Sequence, residues 1–77
     1  MVLQDFIKLD ILSRAELVID QGVFLEGYLE NDRGLQIYYF KGFFVEITFS
    51  KSDIIIDVTP FISGYKKEKY PVLGSQN

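Results

Sequence analysis

The chain has 77 residues, a length that suits one domain, and 48% of them are hydrophobic, as in a globular core and unlike a disordered segment. It contains neither histidine nor cysteine, which excludes disulfides, thiolate or imidazole metal sites, and the usual nucleophile and proton-transfer pairs. The net charge is −3, and residues 1–63 alone carry −5, so this acidic body should repel nucleic acid and anionic membranes.

The N-terminal sequence lacks a signal-peptide pattern, and no apolar run approaches the roughly 20 residues of a membrane span. We therefore predict a cytoplasmic protein that binds neither nucleic acid nor a membrane. We also predict that it is not an enzyme and uses no cofactor or metal, because the common catalytic and metal-ligating side chains are missing.

The chain up to Gly22 is predicted to be helical. Four apolar residues have spacings compatible with one face of a short helix: Leu3, Phe6, Ile7 and Leu9. A second helix is predicted to begin at Ser13, which forms a capping-box pattern with Glu16. Gly22 is placed to end this helix in a left-handed conformation.

After Gly22 the apolar residues alternate with a period of two, which predicts β-strands. Turn-forming residues separate four such segments: 23–30, 35–40, 43–49 and 54–59. Pro60 is predicted to end the last strand, because it lacks a backbone donor. We therefore predict a single α+β domain over residues 1–63, with one or two short N-terminal helices packed on one face of a four-stranded antiparallel meander. Residues 64–77 are predicted to be a lysine-containing, partly mobile C-terminal tail.

The turn lengths predict which side chains share a face of the sheet. A three-residue loop over "FKG" sets Tyr38 opposite Phe44. In the first hairpin a three-residue loop over "DRG" sets Tyr28 opposite Tyr38, and a longer loop there stays open. A four-residue loop over "SKSD" sets Glu46 opposite Asp57. With this register, the face toward the helices includes three residues of the second strand: Leu35, Ile37 and Tyr39.

The outer face of the sheet is predicted to carry an aromatic interaction surface. Its members are Phe24, Tyr28, Tyr38, Phe40, Phe44 and Ile55. Large aromatic patches are uncommon on monomers, so we expect this surface to bind a protein partner or a second copy in a homodimer. Three other interpretations stay open: aromatic residues favour strands in any case, the C-terminal tail covers the surface, or a small molecule binds there.

A row of acidic side chains is predicted beside the aromatic surface. Glu30, Glu46 and Asp57 form this row, which can contact a cation or a basic partner. The alternative function is therefore a small-molecule or hard-cation binding protein, including an enzyme, that uses Glu46 and Asp57. The competing interpretation is a solvated face whose carboxylates splay apart.

Three short motifs carry a resemblance to known proteins. They are "GVFL" at residues 22–25, "GFFVE" at 42–46 and "PF" at 60–61. On these motifs, residues 5–62 resemble a group of short uncharacterised bacterial proteins of the Bacteroidetes type, in which an N-terminal helical segment precedes a β-meander. The resemblance implies the same fold and a bacterial origin, and it implies no activity and no site residues.

Overall fold

The computed structural model describes residues 1–61 as two short helices followed by a sheet. The elements are α1 Leu3–Phe6, α2 Ile11–Gln21, β1 Val23–Glu30, β2 Arg33–Phe40, β3 Phe43–Phe49 and β4 Ile55–Phe61. The four strands pair antiparallel in chain order. The predicted α+β meander is therefore confirmed. The tail predicted for residues 64–77 lies outside the described residues.

Helix α2 begins at Ile11 because Asp10, and not Ser13, is its N-cap. The Asp10 carboxylate accepts a hydrogen bond of 2.8 Å from the backbone N–H of Ser13. That hydrogen bond holds the pKa of Asp10 below its usual value. The predicted Ser13 cap is wrong: Ser13 lies in the first turn and supplies one of the backbone donors that the cap satisfies.

Gly22 ends α2 as predicted, but its backbone is extended (φ −87°, ψ 175°) and not left-handed. The position needs glycine for a different reason. A Cβ atom there would lie 2.6 Å from the carbonyl oxygen of Val18 and 3.2 Å from that of Tyr39. The chain therefore passes from helix to strand through one residue, whose missing side chain lets two backbone segments approach closely.

Two-residue turns join the first three strands. Asn31 and Asp32 have φ angles of 53° and 66°, and Lys41 and Gly42 have φ angles of 47° and 105°. Positive φ at both central positions is typical of type I′ turns, whose twist matches that of antiparallel strands. The three-residue loops predicted for these hairpins are therefore wrong.

The shorter turns change the register and turn β2 over relative to the prediction. Tyr38 lies opposite Val45, and not opposite Phe44. Since side chains alternate along a strand, a shift of one residue moves every side chain of β2 to the other face. Tyr38 and Phe40 therefore face the helices, and Ile37 does not. We call the side packed against the helices the helix face, and the opposite side the outer face.

The main hydrophobic core lies between the helix face and the two helices. Helix α1 contributes one buried side chain, Phe6, whose ring centroid lies 5.6 Å from that of Phe40 and 5.3 Å from that of Phe43. Helix α2 contributes Ala15 and Val18. The other buried members of this cluster come from the sheet: Tyr38, Val45, Ile47 and Val58. Burial of each large apolar side chain stabilises the fold by about 1.5–3 kcal/mol, so Phe6 is the main anchor of α1.

A smaller cluster lies on the outer face. Ile37 and Phe61 are buried there, and Tyr28 and Phe44 pack against them. The rings of Phe44 and Phe61 are stacked with centroids 5.7 Å apart. Strand β4 thus continues through Phe61, and the prediction that Pro60 ends it is wrong.

Candidate functional site

The structure divides the six residues of the predicted aromatic surface between the two faces. Tyr38 (8% exposed) and Phe40 (0%) belong to the core under the helices. Phe24 lies beside Tyr38 on the helix face, with ring centroids 5.5 Å apart, and Ile55 packs against the same core. The shift in register therefore removes the single aromatic surface that the sequence predicted.

Two members of that surface, Tyr28 and Phe44, do lie on the outer face and are partly buried. Tyr28 is opposite Leu35 and not opposite Tyr38. The hydroxyl of Tyr38 instead donates a hydrogen bond of 2.9 Å to Oε1 of Gln36, and burial raises the pKa of Tyr38. Tyr38 is therefore a core tyrosine with a satisfied hydroxyl.

The three acidic residues of the predicted row share the outer face, but Glu46 and Asp57 are not opposite one another. Glu46 pairs with Thr59, and Asp57 pairs with Thr48. The Asp57 carboxylate has a local role, because Oδ1 accepts from the Val58 N–H at 2.9 Å and Oδ2 accepts from Thr59 Oγ1 at 3.1 Å. Within residues 1–61 no group of three or more acidic side chains is arranged to hold a metal ion.

Negative charge is concentrated around Tyr28 instead. Its pKa is raised, first by burial and then by the carboxylates of Glu46, Glu30 and Glu26. Glu46 is only 5% exposed, whereas Glu30 is exposed at the end of β1. We call Glu26, Glu30 and Glu46 the acidic patch. Glu26 was missed in the sequence, although its spacing of two from Tyr28 places both on one face of a strand.

The outward side of β4 is capped at two positions. In antiparallel pairing, alternate residues direct their N–H and C=O groups away from the neighbouring strand, and in β4 these include Val58 and Pro60. The N–H of Val58 donates to Asp57, and its carbonyl accepts a hydrogen bond of 2.9 Å from Nη1 of Arg14. Pro60 has no N–H to offer. An added strand would therefore find few partners on this edge.

Arg14 makes this cap a tertiary feature. Its Nη2 donates a hydrogen bond of 2.6 Å to the carbonyl of Ile7, after α1, and its guanidinium carbon lies 5.8 Å from the centroid of the Phe6 ring. One side chain on α2 therefore joins α1 and the β4 edge. The planar guanidinium suits this role because its donors point to two carbonyls at once.

The outward side of β1 has no comparable protection in the described part of the chain. Glu30 and Arg33 close the first hairpin, so the alternation directs the N–H and C=O groups of Gly27 and Leu29 outward. Leu29 is 79% exposed and Phe24 is 53% exposed. Val23 and Leu25 are also exposed, and a bulge at Leu25 interrupts the register. We call the segment Glu26–Glu30, together with its outward backbone groups, the open edge.

A further apolar groove lies between α2 and β4. It has a volume of about 460 Å³ and is lined by Leu12, Ala15, Glu16, Ile19, Asp20 and Ile55. Four of these side chains are apolar, and two carboxylates stand at the groove. Nothing in residues 1–61 shows what would occupy it.

No helix in residues 1–61 has the length and apolar character needed to cross a membrane. Comparisons of the whole chain with protein-family models, with curated proteins and with solved structures found no match. The resemblance to short bacterial helix-plus-meander proteins therefore stays a prediction.

Proposed function

We propose that the protein is a non-enzymatic interaction domain that pairs with an extended segment of another polypeptide through the open edge. One observation carries this proposal: the sheet has two outer strands, and contacts within residues 1–61 cap only one of them. At β4 the outward groups of Val58 are bonded and Pro60 lacks a donor, whereas at β1 no described residue bonds the outward groups of Gly27 and Leu29, and both residues are exposed.

The side chains of β1 support the same proposal. Proteins that avoid edge pairing use charges, prolines or bulges on their outer strands. Strand β1 contains no proline, and its bulge lies only at its beginning, at Leu25. Its two charges, Glu26 and Glu30, lie on the outer face, whereas Leu29 on the other face extends into solvent. Added strands gain affinity from backbone hydrogen bonds and specificity from alternate side chains, and the open edge offers both.

The outer face extends this surface. Tyr28 lies on β1 itself, so a strand added to the edge would place a side chain next to its ring. Tyr28, one member of the predicted aromatic surface, therefore contributes to the proposed site, whereas Phe44 lies two strands away on β3. The absence of histidine and cysteine from the sequence supports the non-enzymatic part of the proposal.

A pair of substitutions at Gly27 tests the proposal. Gly27→Pro removes the outward N–H and places a ring at the edge, while the β1 to β2 hydrogen bonds stay intact. Gly27→Ala is the matched control, because a Cβ there lies at ordinary contact distances of 3.5–3.8 Å from its neighbours and the donor is kept.

Nine-residue peptides selected from a random displayed library on the wild-type protein provide the probe. We expect them to bind Gly27→Ala within about threefold of wild type and to lose at least tenfold in affinity for Gly27→Pro, since the edge hydrogen bonds are lost. Circular dichroism and thermal unfolding check that both variants fold. Equal binding to the two variants, or no selected peptide at all, contradicts the proposal.

A further inference from the structure

The open edge has a chemical preference as well as a position. Along β1, Glu26, Tyr28 and Glu30 point to the outer face, where Glu46 of β3 adds a third carboxylate near Tyr28. Strand β1 contains no lysine or arginine. Arg33, opposite Glu30, is a nearby cation and offsets part of the charge at that end. Glu26, by contrast, lies opposite the apolar Ile37, so within residues 1–61 it has no cation facing it across the strand pair.

The helix-face side of the same edge exposes apolar side chains. Leu29 lies opposite Gly34, which has no side chain to cover it, and Leu29 is 79% exposed. Next to Gly27 lies the ring of Phe24, which is 53% exposed. An added strand that placed aliphatic side chains here would cover Leu29 and pack beside Gly27 and the Phe24 ring.

Resting on the proposed function, we propose that the partner is an extended segment with lysine or arginine at two positions four residues apart and aliphatic residues at the two positions next to them. In this pattern, basic–aliphatic–any–aliphatic–basic, the basic residues meet Glu26 and Glu30, and the aliphatic residues meet Gly27 and Leu29. The period of two along a strand makes this pairing possible in either chain direction.

A second copy of the chain fits the edge less well. Symmetric pairing centred on Tyr28 sets Glu26 opposite Glu30 of the second copy twice, and like charges directly opposite are destabilising. Symmetric pairing centred on Gly27 brings both acidic patches onto one face. Residues 1–61 also carry a net charge of −5 in each copy, which opposes association at low ionic strength.

Three synthetic peptides test the preference. The first is acetyl-Thr-Lys-Val-Thr-Val-Lys-Thr-amide, the second has glutamine in place of both lysines, and the third has glutamate there. Because the central pattern reads the same in both directions, one peptide tests both orientations. Affinity is measured from the amide chemical shifts of Gly27 and Leu29 in ¹⁵N-labelled full-length protein, at low and high salt, and from Leu29 alone in Gly27→Pro, because proline has no N–H.

We expect the lysine peptide to bind most tightly and the glutamate peptide least, with roughly 2- to 30-fold between lysine and glutamine from two cross-strand charge pairs. Salt should weaken the binding of the lysine peptide, because it screens the charge pairs. In the double variant Glu26→Gln and Glu30→Gln, the preference for lysine should fall to within about twofold. Gly27→Pro should reduce binding of all three peptides.

The remaining outcomes separate the two proposals. Equal affinity of the three peptides, still sensitive to Gly27→Pro, overturns the basic pattern and leaves the edge as the binding site. If Gly27→Pro leaves peptide binding unchanged, or if no peptide binds, the proposal that the open edge is the binding site is overturned. Sedimentation equilibrium tests the second copy. If the protein forms a dimer that is strengthened by salt and abolished by Gly27→Pro, the second copy is the occupant of the edge, and the proposal of a basic partner segment is overturned.

Discussion

The two outer strands of the sheet present the same backbone chemistry to different surroundings. On β4, the outward backbone groups of Val58 are hydrogen-bonded to Arg14 and Asp57, and Pro60 lies two residues further on. On β1, the corresponding groups of Gly27 and Leu29 have no hydrogen-bond partner within residues 1–61 and lie beside the acidic patch. A few specific contacts thus occupy the pairing groups on one side of the sheet. The sequence of a strand alone does not decide whether its edge can pair with another strand.

The largest expected effect comes from removing the cap on β4. Arg14→Ala deletes the hydrogen bonds to Val58 and Ile7 and the contact with Phe6, and should lower the free energy of unfolding by about 2–4 kcal/mol. Arg14→Lys keeps the charge but not the planar guanidinium, and it should lower the free energy of unfolding by an intermediate amount. Urea unfolding measures both, and a loss below about 0.5 kcal/mol for Arg14→Ala would show that the cap contributes little.

A smaller effect is expected at the other half of the cap. Asp57→Ala removes the acceptor for the Val58 N–H and should lower the free energy of unfolding by about 1 kcal/mol, whereas Asp57→Asn keeps an oxygen acceptor and should lower it less.

Sedimentation equilibrium of a related variant compares the two edges directly. Asp57→Ala combined with Pro60→Val should self-associate more than wild type, because β4 regains outward donors. A strictly unchanged association state would assign edge protection to Arg14 alone.

The smallest effect is confined to alkaline pH. The folded-state pKa of Tyr28 is raised above its ordinary value of 10.0 by burial and by the acidic patch. Its contribution to stability is therefore fully present below pH 10.0 and is lost as the pH rises through the folded-state pKa. Urea unfolding at about pH 9, 10 and 11 should show that the free energy of unfolding falls less steeply with pH in Tyr28→Phe than in wild type. Glu26→Gln should lie between the two. Identical slopes in all three proteins would contradict this assignment.

Much of the fold could be predicted because its signals are local. The change from a helical to a two-residue period at Gly22 and the turn-forming residues between strands sufficed for element order and fold class. The start of α2 was harder, because Asp10 and Ser13 are both good capping residues three positions apart, and the hydrogen bond between them decides which one acts.

The faces could not be predicted, because the sequence around Lys41 permits two turns. The doublets Tyr38–Tyr39 and Phe43–Phe44 put an aromatic ring on each face in either register, so hydrophobic patterning could not choose between them. The choice depends on Lys41 adopting a positive φ of 47°, which lysine does infrequently. One turn residue thus determined whether Tyr38 is a core residue or a surface residue.

The cap on β4 could not be predicted from local sequence patterns either. Arg14 and Val58 are separated by 44 residues, and only the finished tertiary structure brings them together. From its sequence position Pro60 predicts the end of β4, whereas in the structure the strand continues and the missing donor protects the edge.

That separation also has a kinetic consequence. The two-residue hairpins close short loops at little entropic cost, whereas the contact between Arg14 and Val58 closes a loop spanning most of residues 1–61. The sheet is therefore expected to assemble before the arginine reaches its second carbonyl. During that interval, the refolding chain exposes pairing groups at both of its outer strands, and the yield of refolding should fall as protein concentration rises.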